Sequence, residues 1–375
     1  GILTYNNPEK PTVFIMPGLP YVLSFFMRIF GYWGGITGFR IFQAVLQTLS
    51  LLLVFFTGRK VLNSRAALLA VFLNAIYIPE IWVSNVILTE TTFKFLFLLL
   101  IYICLYALEK KKAGYYIAGG VVWGLAALFR PPVAAFPIVI LIMWMKNEYK
   151  FKEMLKYTLV TATVFVVILS PWWIRNYKLF NEFIPFTASA GNPMLQGTYI
   201  NYNRNDGSDS LIDVSSYKYT DNELHNNKIE TEIAKLRMKT LISKEPLKYL
   251  YWYTIGKTIK NWSHPFYWKE IFGIKYFAVM FYHRFLIFLA IAGVCLSLAK
   301  RKSNPGFLLL ICAIIYTNCV YLLFYCFPRY VYPVMPLVII MGAVLLSGQQ
   351  AWAYKGTFLP AGFNDKINTQ KDKGI

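Results

Sequence analysis

Residues 169–197 read LSPWWIRNYKLFNEFIPFTASAGNPMLQG. An apolar run, Tyr157 to Leu169, leads into this stretch and is predicted to end at Ser170-Pro171. Trp172-Trp173 follows, then Arg175, then a polar turn with Asn176 and Asn181, and then a long hydrophilic segment. Aromatics beside a charge just past an apolar run mark the boundary between lipid and water. Two readings follow. The stretch is a well-anchored helix end, or Arg175 and Asn176 stand at the mouth of a site where the lipid surface meets water.

The composition supports a membrane setting. Of the 375 residues, 57% are hydrophobic and only 15% are charged, well below a soluble domain's share. Apolar runs of about 15 to 22 residues recur, enough to cross or nearly cross a bilayer. The expected fold is an all-α polytopic bundle of about nine transmembrane helices, with outer juxtamembrane helices and one long helical loop. A net charge of +20 would suit nucleic acid. The charges instead lie in short loops between apolar runs and in the long loop, so anionic lipid headgroups or lipid phosphates are the expected partners. Cys104, Cys295, Cys312, Cys319 and Cys326 all lie in apolar runs without a CxxC pair, which argues against a disulfide framework or a zinc site.

Residues 1–35 form an outer juxtamembrane segment with Pro8, Pro11, Pro17 and Pro20 and an interfacial helix over Tyr21 to Phe30. Residues 36–174 hold six spans. These run near Arg40 to Phe56, Ala66 to Ile78 and Ile87 to Leu108, then as a hairpin, Tyr115 to Phe129 and Val133 to Met145, tipped by Arg130-Pro131-Pro132, and last as Tyr157 to Ile174. Residues 175–275 are the outer loop, helical from about Asp221 to Trp268. Residues 276–348 hold three more spans, and 349–375 a cytoplasmic tail. The basic connections Arg59 to Arg65, Lys110 to Lys112, Lys146 to Lys156 and Lys300 to Lys302 fall on alternate ends and are cytoplasmic by the positive-inside rule. An outside start without a leader implies a further helix upstream of Gly1.

The opposite ends carry Arg40, Glu80, Glu90, Lys94, Arg130, Arg175, His283, Arg284 and Arg329. Charges at the rim of a bundle are costly and therefore candidates for function. Guanidinium groups gathered on one face suit a phosphate, which they bind through paired donors. For Arg40 and Arg284, snorkelling to the interface is an equal alternative. Glu90 and Lys94, one helical turn apart, are expected to form an internal ion pair. There is no Walker A, HExxH or GxSxG motif, and only three histidines, His225, His264 and His283.

Several stretches resemble the polyprenyl- or dolichyl-phosphate-sugar-dependent membrane glycosyltransferases of the GT-C fold, the protein-mannosyltransferase-like and aminoarabinose-transferase-like superfamily. They are MPGLPYVLSFFMRIFG, GLAALFRPP, PWWIRNY with FIPFTASAGNPMLQG, AKLRMKTLISKEPLKYLYWYTIGKTIKNW and RYVYPVMP, in the family's order over roughly Pro11 to Leu346. The resemblance implies an inverting transfer of a sugar from a lipid-phosphate carrier to an acceptor, either glycan, lipid or protein, at the extracytoplasmic face. It implies Arg175 and Arg329, with Arg130, on the carrier phosphate; the polar residues at the same ends, Asn176, Glu90, Lys94 and Arg40, are expected to support them. A carboxylate early in the first outer loop would be the general base. The family's Asp has no counterpart here, since no Asp precedes Asp206. The expectation is that it lies upstream of Gly1, and Glu9 is the candidate within the chain. No cofactor is implied with certainty. A divalent metal ion stays open, although no ligand set stands out.

A bacterial plasma membrane is the expected location. Two other function classes remain: a lipid-linked sugar transporter, which would line a path across the bilayer with polar groups, and a truncated, non-catalytic protein that binds lipid phosphate.

Overall fold

The computed structural model describes residues 2–5, 7–205, 207–299 and 304–347. The expected tail 349–375 and the basic connection Lys300 to Lys302 lie outside the described residues. Among those residues the fold is all-α. Five helical stretches are long and apolar enough to cross a membrane, and a bent pair makes a sixth. The other three expected spans fall on shorter apolar helices.

Helix α1 (Gly18–Val61) opens with the piece expected to be interfacial and breaks at Gly31, whose φ of 71° favours a residue without a side chain. Beyond the break the chain folds back on itself. A Cβ on Gly35 would stand 2.5 Å from the Met27 backbone, so the two limbs touch there. Helix α2 (Ser64–Ala75) is capped by Asn63, whose Oδ1 accepts from the Ala66 amide at 2.8 Å. It meets α3 (Ile78–Ser84) at a 60° bend. Then come α4 (Glu90–Lys110), α5 (Ala113–Ala127) and α6 (Pro137–Lys146), the last two forming the expected hairpin around a short helical turn at Pro131–Ala135.

Helix α7 (Phe151–Phe180) corrects the expected stop at Ser170-Pro171. Proline removes the amide that would bond the Val167 carbonyl. The Ser170 hydroxyl donates to that carbonyl at 2.9 Å instead. Facing lipid, an unmet carbonyl is costly, and this local substitute lets the helix continue through the proline. It ends ten residues later at Asn181, in a left-handed conformation with φ 53°. Trp172, Trp173, Arg175 and Asn176 are therefore helical residues rather than a turn.

The segment after α7 holds α8 (Gly191–Gly197), α9 (Glu223–Lys244), α10 (Pro246–Tyr251) and α11 (Lys257–Trp262), close to the expected helical stretch. Helix α9 is capped by Asn222, whose Oδ1 accepts from the Leu224 and His225 amides. The chain returns through α12 (Tyr276–Ala299), α13 (Pro305–Tyr321), the short α14 (Pro328–Val331) and α15 (Met335–Ser347). Helix α12 leaves Phe277, Phe281, Phe288 and Ile291 exposed along one stripe, as a lipid-facing surface requires. Helix α15 is buried almost throughout and forms the centre of the bundle.

The basic connections gather at one end. Lys60 pairs with Glu109, Tyr157 donates to the Lys111 carbonyl, and Asn304 Nδ2 donates to the Val61 carbonyl at 2.6 Å. Arg130, Arg175 and Arg329 stand at the other end.

Candidate phosphate-binding site

At the arginine end, α4 begins with Glu90, which is fully buried. Its carboxylate accepts from Arg130 Nη2 at 3.1 Å and from Arg329 Nη2 at 3.2 Å, with a further close bond from Arg329 Nε. Arg130 is held in place because the hairpin tip is tight: its own amide bonds the Ala126 carbonyl, and prolines follow at once. Arg329 comes from α14, whose first residue is Pro328. Both cations lie among aromatics, Arg130 over Phe93 and Tyr330, and Tyr330 stacks on Tyr321 with ring centres 4.4 Å apart. Arg130 is 7% exposed, and its Nη1 is buried without a hydrogen-bond partner. Arg329 is more open, with 28% of its side chain exposed. Two guanidiniums against one carboxylate leave this cluster with one net positive charge, a partly open cation and a spare donor, which is what an anion requires.

Lys94 does not pair with Glu90 as expected. It is fully buried and pairs with Glu80, across the α3–α4 junction, and with Gln47 of α1. The carboxylate of Glu90 turns instead to the two arginines, because a buried guanidinium left without a counter-charge costs far more than a helical-turn contact returns. Glu80 also accepts from the Tyr332 hydroxyl at 2.7 Å and from Asn74 Nδ2 at 3.3 Å. A second buried ion-pair cluster thus lies beside the first, and the segment that carries both Arg329 and Tyr332 links them.

Arg175 sits in a third place. Its Nη1 donates to the Thr12 carbonyl at 2.8 Å and to Asn176 Oδ1 at 3.0 Å, while its Nη2 is buried without a partner. The plane lies over Trp172, with its centre 5.0 Å from the ring. Asn176 is fully buried and donates to the Ile184 carbonyl, and Trp172 and Trp173 donate to those of Phe186 and Pro185. Three side chains of α7 thereby hold the non-helical stretch 184–186. The Thr12 hydroxyl donates to both oxygens of Glu223, at 2.9 and 2.6 Å, which brings a carboxylate of α9 beside Arg175.

Two expected residues stand apart. Arg40 is exposed on α1 and, among the described residues, makes no ion pair or hydrogen bond. Glu9 is exposed in a turn where its amide donates to Asn7 Oδ1, and its carboxylate reaches none of the arginines. The contact of Glu223 with Thr12, and the place of Lys257 described below, escaped sequence reading. The helix cap at Asn222 was the available signal for the first, since it places the next residue at a helix start. Among the described residues no three His, Cys, Asp or Glu side chains gather to hold a metal ion.

The profile of the family "dolichyl-phosphate-mannose-protein mannosyltransferase" matches residues 9–174. No curated protein matches in sequence. The archaeal oligosaccharyltransferase AglB from Archaeoglobus fulgidus, solved with an inhibitory peptide and a dolichol-phosphate, superposes with a TM-score of 0.54 at 18% identity, covering 89% of this chain and 42% of that one. The Archaeoglobus fulgidus oligosaccharyltransferase tethered to an acceptor peptide with the NVT sequon gives 0.53 at 17% identity, over 90% and 41%. Its complex with Zn and sulfate gives 0.51 at 16%, also over 90% and 41%. The chain thus spans less than half the length of these relatives, and the likeness is one of fold. It bears out the fold that the resemblance implies: this is a multi-pass membrane protein with a GT-C-type bundle.

Proposed function

We propose that the chain is the membrane portion of a glycosyltransferase that moves a sugar from a polyprenyl-phosphate carrier to an acceptor hydroxyl or amide, with inversion. The observation that carries this reading is the convergence of Arg130 and Arg329 on Glu90, with Arg130 Nη1 buried and unmatched. A sugar phosphodiester carries one negative charge, equal and opposite to that cluster. In the reaction the acceptor atom attacks the anomeric carbon, and the bond from that carbon to the phosphate oxygen breaks. The electron pair leaves with the phosphate, while the acceptor's proton passes to a base. The phosphate gains a second negative charge as it departs, and fixed guanidinium donors stabilise that charge most where water is excluded. Arg329, the more open cation, contacts the carrier phosphate, and Arg130 and Glu90 hold it in register. Arg175, held by Asn176, borders the same end and guides the acceptor or the sugar. The arginine end faces away from the cytoplasm, because the basic connectors occupy the other end. Residues 175–275 form the outer unit above the site, and a bacterial plasma membrane is the natural setting.

The test is sugar transfer in membranes from polyprenyl-phosphate-linked donors. Arg329→Ala is expected to lower transfer roughly a hundredfold. Transfer unchanged by Arg329→Ala would overturn the phosphate role.

A further inference from the structure

Arg329 is delivered by a strap, Leu322 to Phe327, which joins α13 to α14. The strap is not helical, so its backbone groups need partners from elsewhere. The Leu322 and Phe324 amides bond back to the Cys319 and Tyr321 carbonyls, and the outer segment supplies several of the rest. Lys257 Nζ donates to the Leu322 carbonyl at 2.6 Å. The Tyr325 amide donates to the Pro193 carbonyl at 2.7 Å. The Tyr202 hydroxyl accepts from the Cys326 amide at 2.7 Å and lies 3.0 Å from its carbonyl. Asn261 Oδ1 accepts from the Phe327 amide at 3.1 Å. Two of these grips come from one helix, α11, and both side chains, Lys257 and Asn261, are fully buried.

Lys257 is costly where it stands. It has no carboxylate partner among the described residues, and its ammonium lies 3.8 Å from the centre of the Tyr253 ring. Burial pushes its ammonium down to about 7. Packing alone would be served better by an apolar side chain. What the lysine supplies is a donor aimed at a carbonyl just past the end of α13, where the helix dipole is negative. Asn261 is tied down in turn, since its Nδ2 and Trp262 Nε1 both donate to Asn318 Oδ1 of α13, at 3.2 and 3.0 Å.

We propose that Lys257 and Asn261 are positioning residues for the donor: by gripping the strap at Leu322 and Phe327 they set where Arg329 meets the carrier phosphate, so that the outer helices govern donor affinity. This rests on the phosphate role given to Arg329 above.

The experiment measures binding of undecaprenyl phosphate to the purified chain in lipid nanodiscs, with thermal unfolding of each variant recorded alongside. Lys257→Met and Asn261→Leu are each expected to weaken binding about tenfold while the protein stays folded. Neither should add to the loss in an Arg329→Ala background, because residues acting through one another are not additive. Lys257→Arg, which keeps a donor near Leu322, is expected to recover part of the affinity. Loss on Arg329→Ala but not on Lys257→Met or Asn261→Leu would overturn the positioning role and spare the phosphate reading. Losses that add fully to that of Arg329→Ala would also overturn it, since they would mark a general structural effect. No binding by the unaltered chain, or no loss on Arg329→Ala, would bring down the phosphate reading and this inference with it.

Discussion

Arg329 Nη2 donates to Glu90 Oε2 at 3.2 Å, although 239 positions of chain separate the two residues. The contact joins the start of α4 to the short helix that precedes the last span. The proposed phosphate ligand is thus held by a carboxylate from a different element of the fold.

Replacing that carboxylate is expected to separate stability from affinity. Glu90→Ala leaves two guanidiniums without a counter-charge, at a cost of about 3–5 kcal/mol. Glu90→Gln keeps the acceptor oxygen and removes the charge, so the cluster goes from one net positive charge to two. Undecaprenyl phosphate should then bind several-fold more tightly, while the unfolding temperature falls. Weaker binding by Glu90→Gln in a folded protein would show that the carboxylate's main effect is to aim the arginines.

Lys257 gives a pH test outside the membrane-spanning helices. Its ammonium is lowered in the folded chain to about 7, against an ordinary value of about 10.4 unfolded. Between these values the unfolded chain binds the extra proton, so this residue's contribution to stability rises with pH across that window and is flat below it. Lys257→Met removes the dependence. The variant should be more stable than the parent near neutral pH, by a difference on the order of 2–4 kcal/mol. The gap should close as pH climbs toward 10. A constant gap across the range would contradict the buried, unpaired lysine.

The passage of α7 through Pro171 can be examined by a double substitution. Ser170→Ala strands the Val167 carbonyl and is expected to cost about 1 kcal/mol. With Pro171→Ala added, the new amide can bond that carbonyl, and the serine should no longer matter. Equal effects of Ser170→Ala in both backgrounds would rule out the substitution of hydroxyl for amide.

The fold-back of α1 depends on close approach at Gly35. Gly35→Val places side-chain atoms where the Met27 backbone stands and should destabilise the chain by about 1–3 kcal/mol. Gly34→Ala, whose Cβ would meet only the Phe30 side chain at 3.0 Å, should cost less. Comparing the two unfolding temperatures checks this.

Much of the bundle was legible because apolar run length and basic connectors are local signals. The hairpin around Arg130-Pro131-Pro132, the helices of the outer segment and the grouping of Lys60, Lys111 and the chain before α13 at one end could all be read from them. The site was less legible, since spacing along a helix says which residues could pair but not which stronger partner waits elsewhere. Glu90 and Lys94 are suitably spaced, yet each finds its partner on another element. Pro171 read as a stop because a one-residue remedy, the hydroxyl of Ser170, cannot be inferred from the proline itself. Nothing in the sequence around Lys257 marks it as buried. Only the packed strap reveals that it is buried.

The short stretch from Arg329 to Tyr332 touches both buried acids, Glu90 through the arginine and Glu80 through the tyrosine hydroxyl. It joins the two ion-pair clusters at two points three residues apart. If Arg329 swings toward an incoming anion, the tyrosine one turn away is drawn along with it. Occupancy at the water-facing rim would then register deep among the helices as a loosened Glu80, visible in the carboxylate region of an infrared difference spectrum.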